Sequence, residues 1–251
     1  MPVLSFAIVC PMLFLAGFVD SIAGGGGLIS LPAYLFACLP IHNAIATNKF
    51  SSTFGTGLAT VRFIKGKLVI VKLAVPSVLC GFLGSVIGAK LSLLVPETVL
   101  KTMLLFILPL VAFCVLNKRI FKPYETEVFD CTKKTFAIVM ISALIIGMYD
   151  GLYGPGTGTF LIIAFNVFAK MSLRQANAHT KVINFSTNVA ALVVYLINGR
   201  VMIPLGIAAA LSNMLGNYIG SGLVMTKGPK IVKPLIIFVL TLLLVKIITG
   251  F

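Results

Sequence analysis

Charged residues are scarce in this sequence, and their scarcity decides the class of protein. Of the 251 residues, 10% are charged and 59% are hydrophobic, whereas a soluble domain carries about 25% charged residues. No long polar insertion suggests a separate soluble domain. The composition therefore indicates a polytopic membrane protein, and because helices satisfy their own backbone groups in lipid we expect it to be all-α.

Acidic residues are scarcer than basic ones. Six Asp and Glu residues stand against 20 Lys and Arg residues, which gives a formal net charge of +14. In a soluble protein this surplus would suggest a nucleic-acid partner, but in a membrane protein basic cytoplasmic loops explain it. We therefore expect no nucleic-acid partner, and the positive charge favours an anion as the substrate.

Motifs for metal binding, disulfides and catalysis are missing. The five cysteines include no CxxC pair, and the two histidines have no metal-ligand spacing, so we expect no metal and no cofactor. No Gly-x-Ser-x-Gly, HExxH, Walker A or kinase motif is present, and nothing supports an enzyme or an ATP-driven motor. The first basic residue is Lys49. The N-terminus thus lacks the basic region of a signal peptide and reads as a first membrane segment.

A run of glycines interrupts the first apolar segment. Residues 18–53 read FVDSIAGGGGLISLPAYLFACLPIHNAIATNKFSST, with Asp20 just before four glycines. Each glycine costs about 1 kcal/mol relative to alanine inside a helix, so the helix is expected to break there. Residues 28–39 form about 18 Å of helix, too short for the hydrocarbon core. This split segment, residues 3–22 and 28–39, therefore either makes two packed crossings or enters and leaves by one face.

The same arrangement recurs in the second half of the chain. Asp20 matches Asp150 at an offset of 130 residues, and Lys49 matches Lys181 at an offset of 132. The further segments of the first half are 44–64, 73–94 and 97–116; the second half has a split segment at 135–169, then 175–197, 201–226 and 230–251. We therefore predict two repeats, 1–116 and 135–251, each with a Gly-broken split helix and three transmembrane helices, joined by a linker at 117–134. Internal duplication in a membrane protein indicates a transporter.

The basic residues also predict the orientation. If each half crosses the membrane an odd number of times, one side carries 14 Lys and Arg residues and the other carries 4, with Lys49 and Lys181 set aside as intramembrane. An even number of crossings gives 10 against 7. The positive-inside rule prefers the first arrangement, which makes the linker cytoplasmic, places both termini outside and inverts the second repeat.

The candidate site lies at the glycine breaks and the two intramembrane lysines. A broken helix exposes a helix N-terminus that attracts anions, although close packing of small residues is an alternative. A buried ammonium costs several kcal/mol unless a ligand or counter-charge compensates, although snorkelling to the interface is an alternative. The matched features favour substrate binding, whereas the aspartates could relay protons, pair with the lysines or cap the broken helices. The predicted substrate-binding residues are Gly25, Gly26, Thr47, Asn48, Lys49, Ser52, Gly154, Gly156, Thr180, Lys181 and Asn184, with Asp20 and Asp150 as coupling or structural residues.

Three motifs at these positions resemble those of the TauE/SafE sulfite exporter (TSUP) family of membrane permeases. They are FVDSIAGGGG at 18–27, ATNK with the following serines at 46–52, and DGLYGPGTG at 150–158. The resemblance covers essentially the whole chain. It implies a multi-pass carrier of a bacterial-type plasma (inner) membrane that exports small sulfur-containing anions such as sulfite, a sulfonate or sulfoacetate.

The sequence thus predicts a secondary transporter of a small sulfur-containing oxyanion that works by alternating access. An anion channel and a non-transporting membrane scaffold are the alternatives. The expected partners are the substrate and the lipid bilayer. Coupling to protons or sodium ions and assembly as a homodimer are compatible with the sequence, which does not decide the substrate, the coupling ion or the direction of transport.

Overall fold

The structure, a computed structural model, describes residues 3–116 and 131–227, which are almost entirely helical and contain no strand. The helices are α1 (Val3–Ala23), α2 (Gly27–Phe36), α3 (Ile41–Lys65), α4 (Val71–Leu94), α5 (Glu97–Leu116), α6 (Lys133–Leu152), α7 (Thr157–Ile163) with a π-helical turn (Ala164–Phe168), α8 (Leu173–Ile197) and α9 (Ile203–Lys227). Within the described ranges, α1, α4, α6 and α8 are long and apolar enough to cross a membrane, and α2 and α7 with its π-turn are shorter apolar helices. The prediction of an all-α polytopic membrane protein is confirmed. Most of the predicted linker and the predicted last segment, 230–251, lie outside the described residues.

Local sequence signals set where several helices begin. Thr132 caps α6, because its Oγ1 accepts a hydrogen bond from the backbone of Thr135 at 3.2 Å, so this helix starts two residues before the predicted boundary. Ser172 caps α8 in the same way through Gln175, at 3.3 Å. Such caps satisfy backbone donors that the first helical turn leaves without partners.

Both split helices break where the glycines predict. The backbone of Gly24 has a φ of +74°, and Gly154 and Gly156 have φ values of +101° and +86°. Glycine reaches this left-handed region without the steric cost that other residues incur. Pro155 lies between the last two and lacks an N–H group. The chain therefore leaves the helix at Ala23 and at Leu152 and resumes it at Gly27 and at Thr157.

The second split helix is longer than the first. The helix after the break has 10 residues in α2, but seven in α7 plus five in the π-turn. The offset between the repeats is still 130 at the starts of α2 and α7, and it is 132 at the starts of α3 and α8. The two extra residues of the second half therefore lie in this segment, where the wider π winding takes them up.

Helix packing follows the correspondence between the repeats. Helix α1 packs along α9, and α6 packs along α4; α3 contacts α9, and α8 contacts α4; α3 and α8 contact each other. Suppose that α1, α3 and α4 correspond to α6, α8 and α9. The contact of α1 with α9 then corresponds to that of α6 with α4, and the contact of α3 with α9 corresponds to that of α8 with α4. This is the packing expected of two equivalent repeats, while their opposite orientation in the membrane stays a prediction.

Small residues allow the close contacts between these helices. A Cβ atom at Gly88 of α4 would overlap the carbonyl oxygen of Met148 in α6, and one at Gly216 of α9 would overlap that of Phe14 in α1. These glycines, like Gly84 and Gly220, serve helix packing. Their removal would force the paired helices apart.

The outward faces of α4 and α9 carry matching apolar stripes. On α4 an exposed apolar side chain recurs at every fourth position from Val71 to Leu91, and on α9 the same spacing runs from Ile203 to Ile219. The two stripes are offset by 132 residues. Residues four apart share one face of a helix, so these stripes form an apolar surface suited to lipid contact.

Candidate functional site

The two glycine breaks meet each other. A Cβ atom at Gly24 would lie 2.6 Å from Cα of Gly158, and one at Gly27 would lie 2.9 Å from Cα of Pro155. The hydroxyl of Thr159 donates a hydrogen bond to the carbonyl of Ala23 at 3.1 Å. Only glycine permits backbones to approach so closely, so the first and second halves are in direct main-chain contact where both helices are broken.

The buried lysines and aspartates form two ion pairs, and each pair joins one half to the other. Nζ of Lys181 donates a hydrogen bond to Oδ2 of Asp20 at 2.7 Å, and Nζ of Lys49 lies 2.7 Å from Oδ2 of Asp150. Lys49 is 1% exposed and Lys181 is fully buried, so neither ammonium reaches the protein surface. Of the roles that the sequence left open for the aspartates, the structure shows pairing with the lysines.

The two pairs have different surroundings. Besides its ion pair, Lys49 donates a hydrogen bond to Oδ1 of Asn188 at 3.1 Å, and Nδ2 of Asn188 donates to Oγ1 of Thr56 at 3.5 Å. At the other pair, the backbone N–H of Gly26 points to Oδ1 of Asp20 at 3.4 Å. Asp20 thus lies at the N-terminus of α2, which favours negative charge.

Asp150 has no equivalent contact with the start of α7. Pro155 has no N–H, and the left-handed backbone of Gly156 redirects the chain. The first N–H of α7, that of Thr157, donates to the carbonyl of Gly154 at 3.1 Å instead. The difference between Gly-Gly-Gly and Gly-Pro-Gly therefore removes from Asp150 the backbone donor that Asp20 has.

A cavity of about 30 Å³ lies between the breaks and the ion pairs. Its lining consists of Asp20, Gly24, Gly26, Gly27, Asn48, Lys49, Ser52, Thr56, Asp150, Gly154, Thr157, Gly158, Asn184, Asn188 and Asn213. One water needs about 10–15 Å³ by this measure, so the cavity has room for about two waters. An oxyanion with a central atom and three oxygens needs more, and its entry requires side chains or helices to move.

The structure brings most of the predicted site residues to this cavity. Those that line it are Gly26, Asn48, Lys49, Ser52, Gly154 and Asn184, with Asp20 and Asp150; those that do not are Gly25, Thr47, Gly156, Thr180 and Lys181. Lys181 approaches it through its ion pair with Asp20. The ideal Cβ position of Gly156 falls against Val111 of α5.

Thr47 has a different contact, which recurs in the other half. Its Oγ1 accepts a hydrogen bond from the backbone of Met202 at 3.1 Å, just before α9. The equivalent residue of the second half, His179, accepts at Nε2 from the backbone of Ile70 at 3.0 Å, just before α4. Thr47 therefore holds the start of α9 against α3, and His179 holds the start of α4 against α8.

Sequence reasoning missed several lining residues, of which Asn188 and Asn213 are the most informative. Asn188 lies four residues after Asn184 and seven after Lys181, on the same helical face, and this spacing was a usable signal. Asn213 is a polar residue in an apolar helix, and its Nδ2 donates to the carbonyl of Leu13 at 3.2 Å. Nothing near it in the sequence marks it as a site residue.

The cavity wall combines buried charges with neutral polar groups. Lys49 supplies a positive charge to this wall, which also carries the amides and hydroxyls of Asn48, Ser52, Thr56, Asn184, Asn188 and Asn213. Hydrogen bonds from charged donors to an oxyanion are stronger than neutral ones. Within the two described ranges, no group of three His, Cys, Asp or Glu residues could hold a metal ion.

The structure has helices of membrane length and a repeated pair of broken helices, with buried charges where the breaks meet. These features are typical of a multi-pass membrane transporter. The chain belongs to the sulfite exporter TauE/SafE family, whose model matches residues 9–247. The resemblance found in the motifs is confirmed.

Relatives agree with this family. A probable membrane transporter protein, ORF9 of Sinorhizobium sp., is 39% identical over 94% of this chain and 90% of its own length. The probable membrane transporter protein YfcA of Escherichia coli K12 is 34% identical over 93% of this chain and 86% of its own length. A probable membrane transporter protein of Haemophilus influenzae is 30% identical over 94% of this chain and 91% of its own length. No solved structure matches the chain.

Proposed function

We propose that this transporter is a secondary carrier that exports a small sulfur-containing anion, such as sulfite, a sulfonate or sulfoacetate, across a bacterial-type plasma (inner) membrane. The family description, sulfite exporter, supports the substrate class. The surplus of basic residues in the sequence agrees with an anionic substrate. The observation that carries the proposal is Lys49, a buried ammonium on the cavity wall between Asp150 and Asn188.

In this proposal, the anion replaces the carboxylate of Asp150 as the partner of Lys49. The carboxylate already occupies the position that an oxyanion would take, at 2.7 Å from Nζ. The neighbouring Asn188 keeps Lys49 in place during the exchange, because its Oδ1 accepts from Nζ independently of Asp150. A buried charge must retain a partner, so release of the carboxylate and arrival of the anion are expected to be coupled.

The contact between the halves supports alternating access. The site lies where the two halves of the chain meet, and each ion pair joins a residue of one half to a residue of the other. A rocking motion of one repeat against the other would open the cavity first to one side and then to the other. The duplicated buried charges argue against a scaffold that only packs, and the exchange assay below distinguishes the carrier from an anion channel.

Transport into and out of proteoliposomes tests the proposal. Vesicles with purified protein are loaded with unlabelled sulfite and diluted into a trace of labelled sulfite, and a carrier transiently accumulates the label by exchange. The Lys49→Met variant should lose this accumulation. Lys101→Met is the matched control, because Lys101 is a surface residue paired with Glu97 at 3.7 Å. Flux without exchange indicates the channel, and absence of flux with sulfite, sulfoacetate and a sulfonate indicates the scaffold.

A further inference from the structure

The four charged residues at the site cancel each other. Lys49 pairs with Asp150 and Lys181 pairs with Asp20, and all four residues are at least nine-tenths buried. An added monovalent anion would leave this buried site with a net charge of −1. Burying an uncompensated charge is costly, so the binding of an anion requires a compensating positive charge.

The two carboxylates differ in how well they would remain ionised after losing a lysine. Asp20 has the N–H of Gly26 and the N-terminus of α2 beside it, and its partner, Lys181, does not line the cavity. Asp150 is paired with Lys49, and Lys49 lines the cavity, where an anion can contact it. The carboxylate that loses its partner is therefore that of Asp150.

Two tyrosines near Asp150 direct their hydroxyls to other acceptors, whereas the buried hydroxyl of Tyr153 has no hydrogen-bond partner among the described residues. The hydroxyl of Tyr195 donates to the carbonyl of Gly151 at 3.0 Å, and that of Tyr149 donates to the carbonyl of Pro155. Several charged and titratable groups surround Asp150 in the described part of the chain. They are Lys49 from α3, Asp20 from α1, Lys181 and Tyr195 from α8, Tyr149 from α6, and Tyr153 directly after α6.

Among the described residues, no hydroxyl of α4 or α7 donates a hydrogen bond to the carboxylate of Asp150. Helix α4 brings Ser85 beside Gly151, but the Ser85 hydroxyl donates to the carbonyl of Thr187 at 2.6 Å. Helix α7 brings Thr157, whose hydroxyl donates to the carbonyl of Gly154 at 2.7 Å. A hydroxyl supplies no compensating positive charge, so once Lys49 turns to an anion the carboxylate of Asp150 has lost the cation that pairs with it.

We infer that Asp150 takes up one proton when a monovalent anion binds at Lys49, so that the anion and the proton are carried together, while Asp20 and Lys181 stay ionised as a structural pair. This inference rests on the proposed function. The ion pair between Nζ of Lys49 and Oδ2 of Asp150 breaks, an ion pair between Nζ and the anion forms, and a proton from water binds the carboxylate. The loaded site has the same net charge as the unloaded one.

Electroneutral transport follows from this balance. The membrane potential does no work on a neutral load, so net flux follows the combined gradients of anion and proton. Export then proceeds when the outward gradient of the anion exceeds an inward gradient of protons. A divalent anion such as fully ionised sulfoacetate would leave the site with a net negative charge. Among the proposed substrates the site should therefore favour the monovalent ones, hydrogen sulfite and simple sulfonates.

Calorimetric titration with methanesulfonate tests the inference. This sulfonate is monovalent and stays ionised across the assay range, so it releases or takes up no proton of its own. Titrations of the purified protein in buffers of different ionisation enthalpy give the number of protons bound with each anion. We expect about one proton for the wild type and for Glu97→Gln, in which a partly exposed acid that does not line the cavity is neutralised.

The Asp150→Asn variant should bind the anion without a proton. Its amide has the size of the carboxylate but no charge, so the anion neutralises a site that carries +1. Loss of a competing charge-assisted contact of about 1.5–3 kcal/mol should tighten binding about ten- to a hundredfold. Uptake that persists in Asp150→Asn but disappears in Asp20→Asn would assign the proton to Asp20 and overturn the inference.

The wild type alone decides the question if Asp150→Asn does not fold. Binding with a proton number near zero would overturn the inference and leave the anion site intact, as would an affinity that does not change with pH. If one proton accompanies each anion, the apparent affinity should fall about tenfold per pH unit in the alkaline range. Absence of methanesulfonate binding would overturn the proposed anion site and this inference together.

Discussion

Replacing Lys49 by methionine removes the ammonium from the cavity and keeps the length and apolar stem of the side chain. The carboxylate of Asp150 then remains in a residue that is 3% exposed, without the cation at 2.7 Å. Breaking a buried ion pair by removing one partner costs about 3–5 kcal/mol. Lys49→Met should therefore lower the free energy of unfolding and weaken anion binding together.

The two effects are separated by a second substitution. In Lys49→Met/Asp150→Asn both charges are gone, and a buried pair replaced by neutral groups is often no less stable than the original. Most of the lost stability should return. Anion binding should not return, because a charge-assisted hydrogen bond contributes about 1.5–3 kcal/mol, or about ten- to a hundredfold in affinity.

Lys181→Met is the internal comparison. It breaks the pair with Asp20, so it should destabilise the protein by a similar amount, but Lys181 does not line the cavity. Its effect on affinity should be smaller than that of Lys49→Met. Thermal unfolding in detergent and calorimetry with sulfite and methanesulfonate measure both quantities, with Lys101→Met as the surface control. If Lys49→Met binds as tightly as the wild type, Lys49 is not the anion-binding residue and the reasoning fails.

Three further predictions concern the breaks, the packing and the orientation. Gly25→Ala should be tolerated, because the nearest atom to its Cβ would be 3.6 Å away. Gly26→Ala would place a Cβ atom 2.5 Å from Cβ of Asp20 and should reduce anion binding. Equal binding by the two variants would contradict this prediction. Gly88→Ala should lower the thermal stability in detergent without a specific loss of affinity in the protein that remains folded, since its Cβ would strike the backbone of α6 away from the cavity. A cysteine at Lys122 should react with membrane-impermeant reagents only from the cytoplasmic side and one at the C-terminus only from outside; labelling of both from one side would exclude the inverted repeat.

The sequence was sufficient to predict the helix breaks because their causes are local. Glycine runs and Pro155 disfavour helix wherever they stand, and the structure interrupts α1 and α6 at those residues. Membrane helices could be predicted for a similar reason, since hydropathy is a property of each segment. The change in offset from 130 to 132 showed that two residues were added, but their position in a π-turn depends on how α7 packs.

The partners of the charged residues could not be predicted in this way. Lys181 bonds to Asp20, 161 positions earlier, and only the fold brings them together. Thr47 was assigned to the site because it lies two residues before Lys49, but on a helix this spacing turns it to a different face, where it binds the backbone of Met202. Asn213 reaches the cavity because α9 packs along α1 and α3, which the sequence of α9 does not reveal.

Asn188 provides a last test, since it contacts Lys49 without carrying charge. It links Lys49 to Thr56 by two hydrogen bonds, at 3.1 Å and 3.5 Å. Loss of these contacts in Asn188→Ala should weaken methanesulfonate binding by about 0.5–1.5 kcal/mol, roughly twofold to tenfold. Asn198→Ala, at the exposed end of the same helix, is the control and should leave binding unchanged.

Asn188→Asp changes the charge at the same position. A second carboxylate beside Lys49 would give the cavity an excess negative charge and should abolish binding of the anion. Addition of Asp150→Asn moves the carboxylate from one side of Lys49 to the other and restores the balance, so binding should recover at least in part. Since shape is nearly constant in this series, recovery would show that net charge at Lys49 governs anion binding. If Asn188→Asp binds methanesulfonate as tightly as the wild type, the anion does not sit at Lys49.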